Sequence, residues 1–247
     1  AAAPDLATPE PPEAAEDCPA LISSQPAPAG ASLIRLVSPC RAGEVVEFDH
    51  AGLALSARFD AAGVAEIELP VLDAAAGVTA RTESGPPVET ALSFDAAEVS
   101  RLTRVAVGWR EPVRLALHAF EPGGAHRSAE APASADEALR EGGGFLLSYP
   151  AAAPGAPAAE VWSAWIGAQS RAGLARLALD YASRGAVAAE PFCGEAALAR
   201  PGYLAIRSEG GKLRGAARGR FAAAECGARM EPAARLAAGE LTIVRLE

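Results

Sequence analysis

Three histidines occur in the chain of 247 residues, and two of them, His118 and His126, flank a carboxylate, Glu121. Two imidazoles and an acid are the raw material of a metal site or of general acid–base catalysis. The intervening Pro122-Gly123-Gly124 imposes no geometry on them, whereas zinc sites legible in a sequence present their ligands on rigid clips or one helical turn. No metal and no cofactor is therefore expected. His118 lies inside an apolar alternation and reads first as a hydrogen-bonded core or edge residue; it is also the side chain a catalytic reading would have to use. Asp49-His50 puts an acid next to a base, but strand neighbours point to opposite faces, so adjacency there argues against a dyad and for strand-end turn residues.

Nucleophile and phosphate motifs are missing: there is no Gly-x-Ser-x-Gly, no His-Glu-x-x-His and no glycine loop ending in Lys-Ser or Lys-Thr. Gly142-Gly143-Gly144 lacks such a partner and reads as a hinge before a strand. Four cysteines remain, Cys18 and Cys40 near one end and Cys193 and Cys226 near the other, separated by about 150 cysteine-free residues. Four cysteines allow three connectivities, and loop closure favours joining neighbours over loops of 22 and 33 residues. Bridges Cys18–Cys40 and Cys193–Cys226 are expected, with free buried thiols as the alternative. Zinc is discarded, because no two cysteines form a Cys-x-x-Cys clip and no histidine adjoins one.

Two disulfides imply an oxidising compartment. The start Ala1-Ala2-Ala3-Pro4 resembles what signal peptidase leaves, and no apolar run is long enough to span a bilayer as a helix, so a periplasmic or secreted protein is expected. The net charge of −9 is concentrated at the start, where Asp5, Glu10, Glu13, Glu16 and Asp17 meet no base. A single lysine against 21 arginines reflects base composition more than arginine chemistry, and an acidic chain gives nucleic-acid binding no global support. One stretch departs from this: Arg200, Arg207, Lys212, Arg214, Arg218 and Arg220 face only Glu209, a net +5. Solvated strand faces explain such a run most simply; as a functional surface it would meet an anionic envelope component, a partner's acidic surface or the chain's own tail.

The elements that must position these residues are short alternating runs between turns, the period-2 signature of half-buried strands. They span Ser32–Ser38, Val45–His50, Leu53–Phe59, Val64–Leu69, Val78–Thr82, Val88–Phe94, Thr103–Trp109 and Val113–Phe120. Asp60-Ala61-Ala62-Gly63 predicts a hairpin between the third and fourth, and Arg110-Glu111-Pro112 another between the last two. That second hairpin would set Val105, Val107 and Trp109 facing Leu115, Leu117 and Ala119. Seven prolines before Gly30 predict an extended tail. Ser134–Arg140 predicts a short capped helix. Further strands are expected at Val161–Ile166, Tyr203–Ser208, Lys212–Ala216 and Leu241–Leu246, and Leu174–Tyr181 is placed as strand over helix. Trp162 and Trp165 fall on opposite faces of their strand, so only one is expected in the core; the other would be a ligand platform.

The resulting fold is all-β: a tail over 1–30, a β-sandwich module over 31–122, a Gly/Pro/Ala-rich connector over 123–159 and a second β module over 160–247. Cys18-Pro19, Ser38-Pro39-Cys40-x-x-Gly43-Glu44, His50-x-Gly52-Leu53, Leu69-Pro70-x-Leu72, Trp109, Leu117-His118-Ala119 and Cys193-Gly194 occur in this order, and together they resemble an uncharacterised family of exported alphaproteobacterial proteins. Members sometimes carry the bare label translocase, although no nucleotide motor or channel motif accompanies it here. The resemblance implies export and two cysteine pairs, and it supplies no catalytic residues. The functional expectation is a non-catalytic binding, scaffold or accessory protein of the cell envelope or a secreted assembly. The alternative is a hydrolase of an envelope polymer using His118.

Overall fold

A computed structural model of the chain describes residues 18–110, 115–121, 125–129, 133–141, 143–166, 175–181 and 202–219. In chain order the elements are β1 (Leu21–Ala27), β2 (Ala31–Val37), β3 (Val45–His50), β4 (Leu53–Arg58), β5 (Val64–Pro70), β6 (Val78–Thr82), β7 (Val88–Thr90), α1 (Ala96–Val99), β8 (Leu102–Arg110), β9 (Leu115–Phe120), β10 (His126–Arg127), α2 (Ala135–Glu141), β11 (Gly144–Tyr149), β12 (Pro157–Trp165), β13 (Arg176–Tyr181), β14 (Tyr203–Glu209) and β15 (Lys212–Gly219). They build antiparallel sheets in the orders β1-β2-β5, β4-β3-β6-β7, β11-β12-β8-β14-β15 and β10-β9-β13. The fold is thus all-β, with two short α-helices among the described residues, and Ser134 caps α2 as predicted by accepting from the Glu137 N–H at 3.2 Å.

The five-stranded sheet is the middle layer. One of its faces, carrying Ala106, Val161 and Ile206, packs on Ile34, Phe48 and Leu55 of the first two sheets. Its other face, carrying Val107, Trp162 and Ala205, packs on Leu117 and Leu179 of the β10-β9-β13 sheet. Covered on both sides, β12 is buried along its whole length, which is why its sequence PAAEVWSAW does not alternate. Trp162 is fully buried and Trp165 is 7 % exposed, so both lie in the core and neither is an exposed platform. The expectation of one outward tryptophan assumed a sheet with one wet face.

The same layer removes the expected boundary between modules. β8, from the first, hydrogen-bonds β12 on one side and β14 on the other, so strands before and after 123–159 share one sheet. Within the supposed connector lie β10, α2, β11 and the first residues of β12. Its glycines and prolines punctuate these elements rather than separating domains.

Both predicted hairpins are corrected in a similar way. The Asp60–Gly63 turn forms, with the Asp60 carboxylate accepting from the Ala62 and Val64 N–H groups at 2.9 Å each. It nevertheless joins different sheets, since β4 pairs with β3 and β5 pairs with β2. β8 and β9 also part company, and Val105, Val107 and Trp109 meet Leu115, Leu117 and Ala119 face to face across two sheets. Alternation fixes which residues turn inward and leaves the partner strand open.

Part of the stretch expected as an extended tail over 1–30 is instead a strand. Leu21–Ala27 is an edge strand paired with β2, and Pro26 sits where an edge tolerates a missing N–H. Cys18 and Cys40 are bridged just beyond the Leu21–Val37 end of this ladder, with Cα atoms 6.1 Å apart. The bridge closes a separation of 22 residues and is expected to contribute about 3 kcal/mol. Replacing both cysteines by alanine should lower the denaturation midpoint and raise amide exchange in β1 first. Unchanged β1 protection would show that the ladder alone holds the strand. Cys193, Cys226, Arg200, Arg220 and the expected strand at Leu241–Leu246 lie outside the described residues.

Candidate binding surface

The basic residues of β14 and β15 are brought onto one ribbon. The two strands are joined at Gly210-Gly211, both with positive φ, in the two-residue turn that suits strand twist. Six residues after its start, β15 still faces solvent, with Lys212 to Arg218 exposed throughout. β15 also terminates its sheet, and no strand pairs with its outer edge among the described residues. Glu209 sits between Arg207 and Arg214, 3.9 and 3.5 Å from their guanidinium nitrogens. Four bases against this one acid leave the ribbon strongly positive. Gly215, Ala216 and Ala217 keep the middle of β15 low, and a Cβ on Gly215 would meet no atom within 4 Å.

The predicted histidines also come together, without Glu121. β9 alternates Leu117 and Ala119 inward with His118 and Phe120 outward, and β10 places His126 opposite Phe120. Nδ1 of His118 lies 3.0 Å from Nε2 of His126. Glu121 turns the other way, is 7 % exposed, and accepts from the Gly144 N–H at 2.8 Å and the Trp162 indole N–H at 3.1 Å, with Arg127 at 3.7 Å. It is structural, and the three-residue metal set considered from sequence does not assemble. Among the described residues no group of three or more His, Cys, Asp and Glu side chains is arranged for a metal ion.

His50 is a structural anchor with both ring nitrogens used. Nε2 accepts from the Leu72 and Asp73 N–H groups at 3.0 and 3.3 Å, so Nδ1 carries the proton and donates to Gly77 O at 3.0 Å. Burial holds its pKa below the ordinary histidine range. The resemblance-bearing segments His50-x-Gly52-Leu53 and Leu69-Pro70-x-Leu72 therefore meet through a backbone anchor, and Asp49 takes no part in a dyad. Ser208 completes the anchor by donating to Leu72 O.

Sequence patterning did not single out two buried charges. Arg104 is 1 % exposed and donates from Nη2 to Ala29 O and Gly30 O, while Glu98 accepts from Gly30 N at 2.8 Å. The pair clamps the β1–β2 turn from both sides, and burial lowers the arginine's pKa to about 10. Glu160 projects from β12 toward the β10-β9-β13 sheet and accepts from the Leu117 N–H. Burial raises its pKa to about 7, and the Leu117 bond offsets part of this. The available signal was a lone acid in a nine-residue apolar strand.

Compared with known proteins, the chain matches no protein-family model, no curated protein and no solved structure. No helix among the described residues is long and apolar enough to cross a membrane.

Proposed function

We propose that this chain is an exported, non-catalytic binding or scaffold component of the cell envelope or a secreted assembly, and that the β14–β15 ribbon receives an acidic protein partner. The observation that carries this reading is β15 itself, an exposed basic edge strand paired with β14 on one side and with no strand on its outer edge among the described residues. Such an edge offers backbone hydrogen bonds to an extended segment, while Lys212, Arg214 and Arg218 select for acidic side chains. The small residues Gly215 to Ala217 let another backbone approach. Export is supported by the Cys18–Cys40 bridge and by the resemblance to exported alphaproteobacterial proteins.

Affinity isolation of the full chain from cell envelopes at low salt should return the same acidic partner repeatedly. Raising salt from about 0.05 to 0.5 M should release it, because the Debye length shrinks from over 10 Å to a few Å. The variant Lys212→Glu, Arg214→Glu, Arg218→Glu should capture at least about tenfold less, which corresponds to about 1.4 kcal/mol. Recovery of the protein alone, or equal capture by the charge-reversed variant, would overturn the reading.

A further inference from the structure

We propose that His118 and His126 form a chelating site for a borderline divalent transition-metal cation, with Cu2+ bound most tightly, on the outer face of the β10-β9-β13 sheet. Two imidazole nitrogens bound side by side to one cation, each at about 2.0 Å, stand about 2.8 to 3.3 Å apart. Nδ1 of His118 and Nε2 of His126 are already 3.0 Å apart, their ring planes 11° from parallel with centroids at 5.2 Å. Without a cation the pair shares one N–H···N bond. On binding, the cation takes the place of that shared proton, and the ring that carried it holds its proton on its other nitrogen.

The scaffold sets this spacing before any ligand arrives. His118 is held in the middle of β9 by the ladder to β13, opposite Ala178, and His126 is held opposite Phe120. The Phe120 ring lies 4.9 Å from the His126 ring and 6.4 Å from the His118 ring at small interplanar angles, which restricts both imidazoles. Once one nitrogen has bound a cation, the second binds intramolecularly at high effective concentration. His126 faces solvent and Phe120 is 39 % exposed, so the site is reachable.

Donor chemistry sets the ligand class. Imidazole nitrogens suit Cu2+, Zn2+ and Ni2+, and affinity rises to Cu2+ across the series, whereas Mg2+ and Ca2+ need oxygen donors. Glu121 points into the core, and the nearby guanidinium of Arg176 lies over Phe120 at 5.3 Å, a charge that disfavours cations held by electrostatics alone. With two protein ligands the remaining coordination positions belong to water or to an incoming ligand.

The test is titration of the oxidised full chain with Cu2+, followed by electron paramagnetic resonance. One Cu2+ per chain should bind, with hyperfine splitting from two imidazole nitrogens. His118→Ala and His126→Ala should each weaken binding at least tenfold and remove one nitrogen from the spectrum. His126 lies on an exposed two-residue strand, so its variant decides the matter even if His118→Ala unfolds. The third histidine, His50, has both nitrogens engaged and supplies no competing site. Unchanged affinity in His126→Ala, or a spectrum of sulfur ligation, would overturn the proposal.

Discussion

Gly63→Ala is expected to destabilise the protein by about 3 kcal/mol or more. Gly63 has φ of +73°, where an L side chain costs about 1–2 kcal/mol. Its α-carbon also presses on the opposite chain: a Cβ would stand 2.4 Å from Ser38 O and 2.5 Å from Pro39 Cα. Both are backbone atoms two residues or fewer from the Cys40 bridge, and Ser38 N–H donates to Gly63 O at 2.8 Å, so neither side can yield cheaply. Gly43→Ala provides the control. Its φ is +81°, yet no atom lies within 4 Å of its Cβ, so it should show the backbone strain alone. Denaturant melts of the two variants should therefore differ by more than about 1 kcal/mol, with Gly63→Ala the weaker. Equal losses would mean that the turn moves away from Ser38 at no cost.

What made Gly63 visible in the sequence was its turn chemistry, and the limits of that signal recur through the fold. Asp60 and Gly63 specify a reversal of the chain, but a reversal serves equally a hairpin or a corner between two sheets. The inward residues of β8 and β9 were legible because period-2 alternation survives any pairing; the partners were not, because pairing is decided by layers distant in sequence. β12 shows the opposite case. A strand covered on both faces loses its alternation, so Trp162 and Trp165 could not be assigned to faces by exposure, and the sheet that unites the expected modules went unrecognised. For the candidate surface, the basic residues of β15 could be read directly as charge and spacing. The contact of His118 with His126 could not, since Pro122-Gly123-Gly124 leaves direction undetermined and only the β9–β10 register supplies it. Arg104 and Glu160 were hidden for another reason: composition predicts charges at the surface, and these two are sustained inside by backbone carbonyls and a backbone N–H.

Glu160 gives the second large effect, and it depends on pH. Its folded pKa is raised from 4.5 to about 7, so between those values the folded state holds a proton that the unfolded chain releases. Stability from that proton is fully present below pH 4.5, falls as pH rises, and is gone above about pH 7. The difference of about 2.5 pH units corresponds to about 3 kcal/mol. Glu160→Gln keeps an oxygen for the Leu117 N–H and cannot ionise, so the variant should gain about 3 kcal/mol over the parent at pH 8 and little at pH 4.5. His50 contributes with the opposite sign: its pKa is depressed, so its stabilisation is present above pH 6.5 and lost as pH falls through the folded value. Subtracting the variant's pH profile from the parent's removes the His50 contribution, which both proteins share. A difference that stayed flat from pH 4.5 to 8 would show that the carboxylate is ionised in the fold throughout. A difference that rises with pH as expected makes Glu160 a buried acid retained against stability, poised to loosen the contact between β12 and β9 as the surroundings turn alkaline.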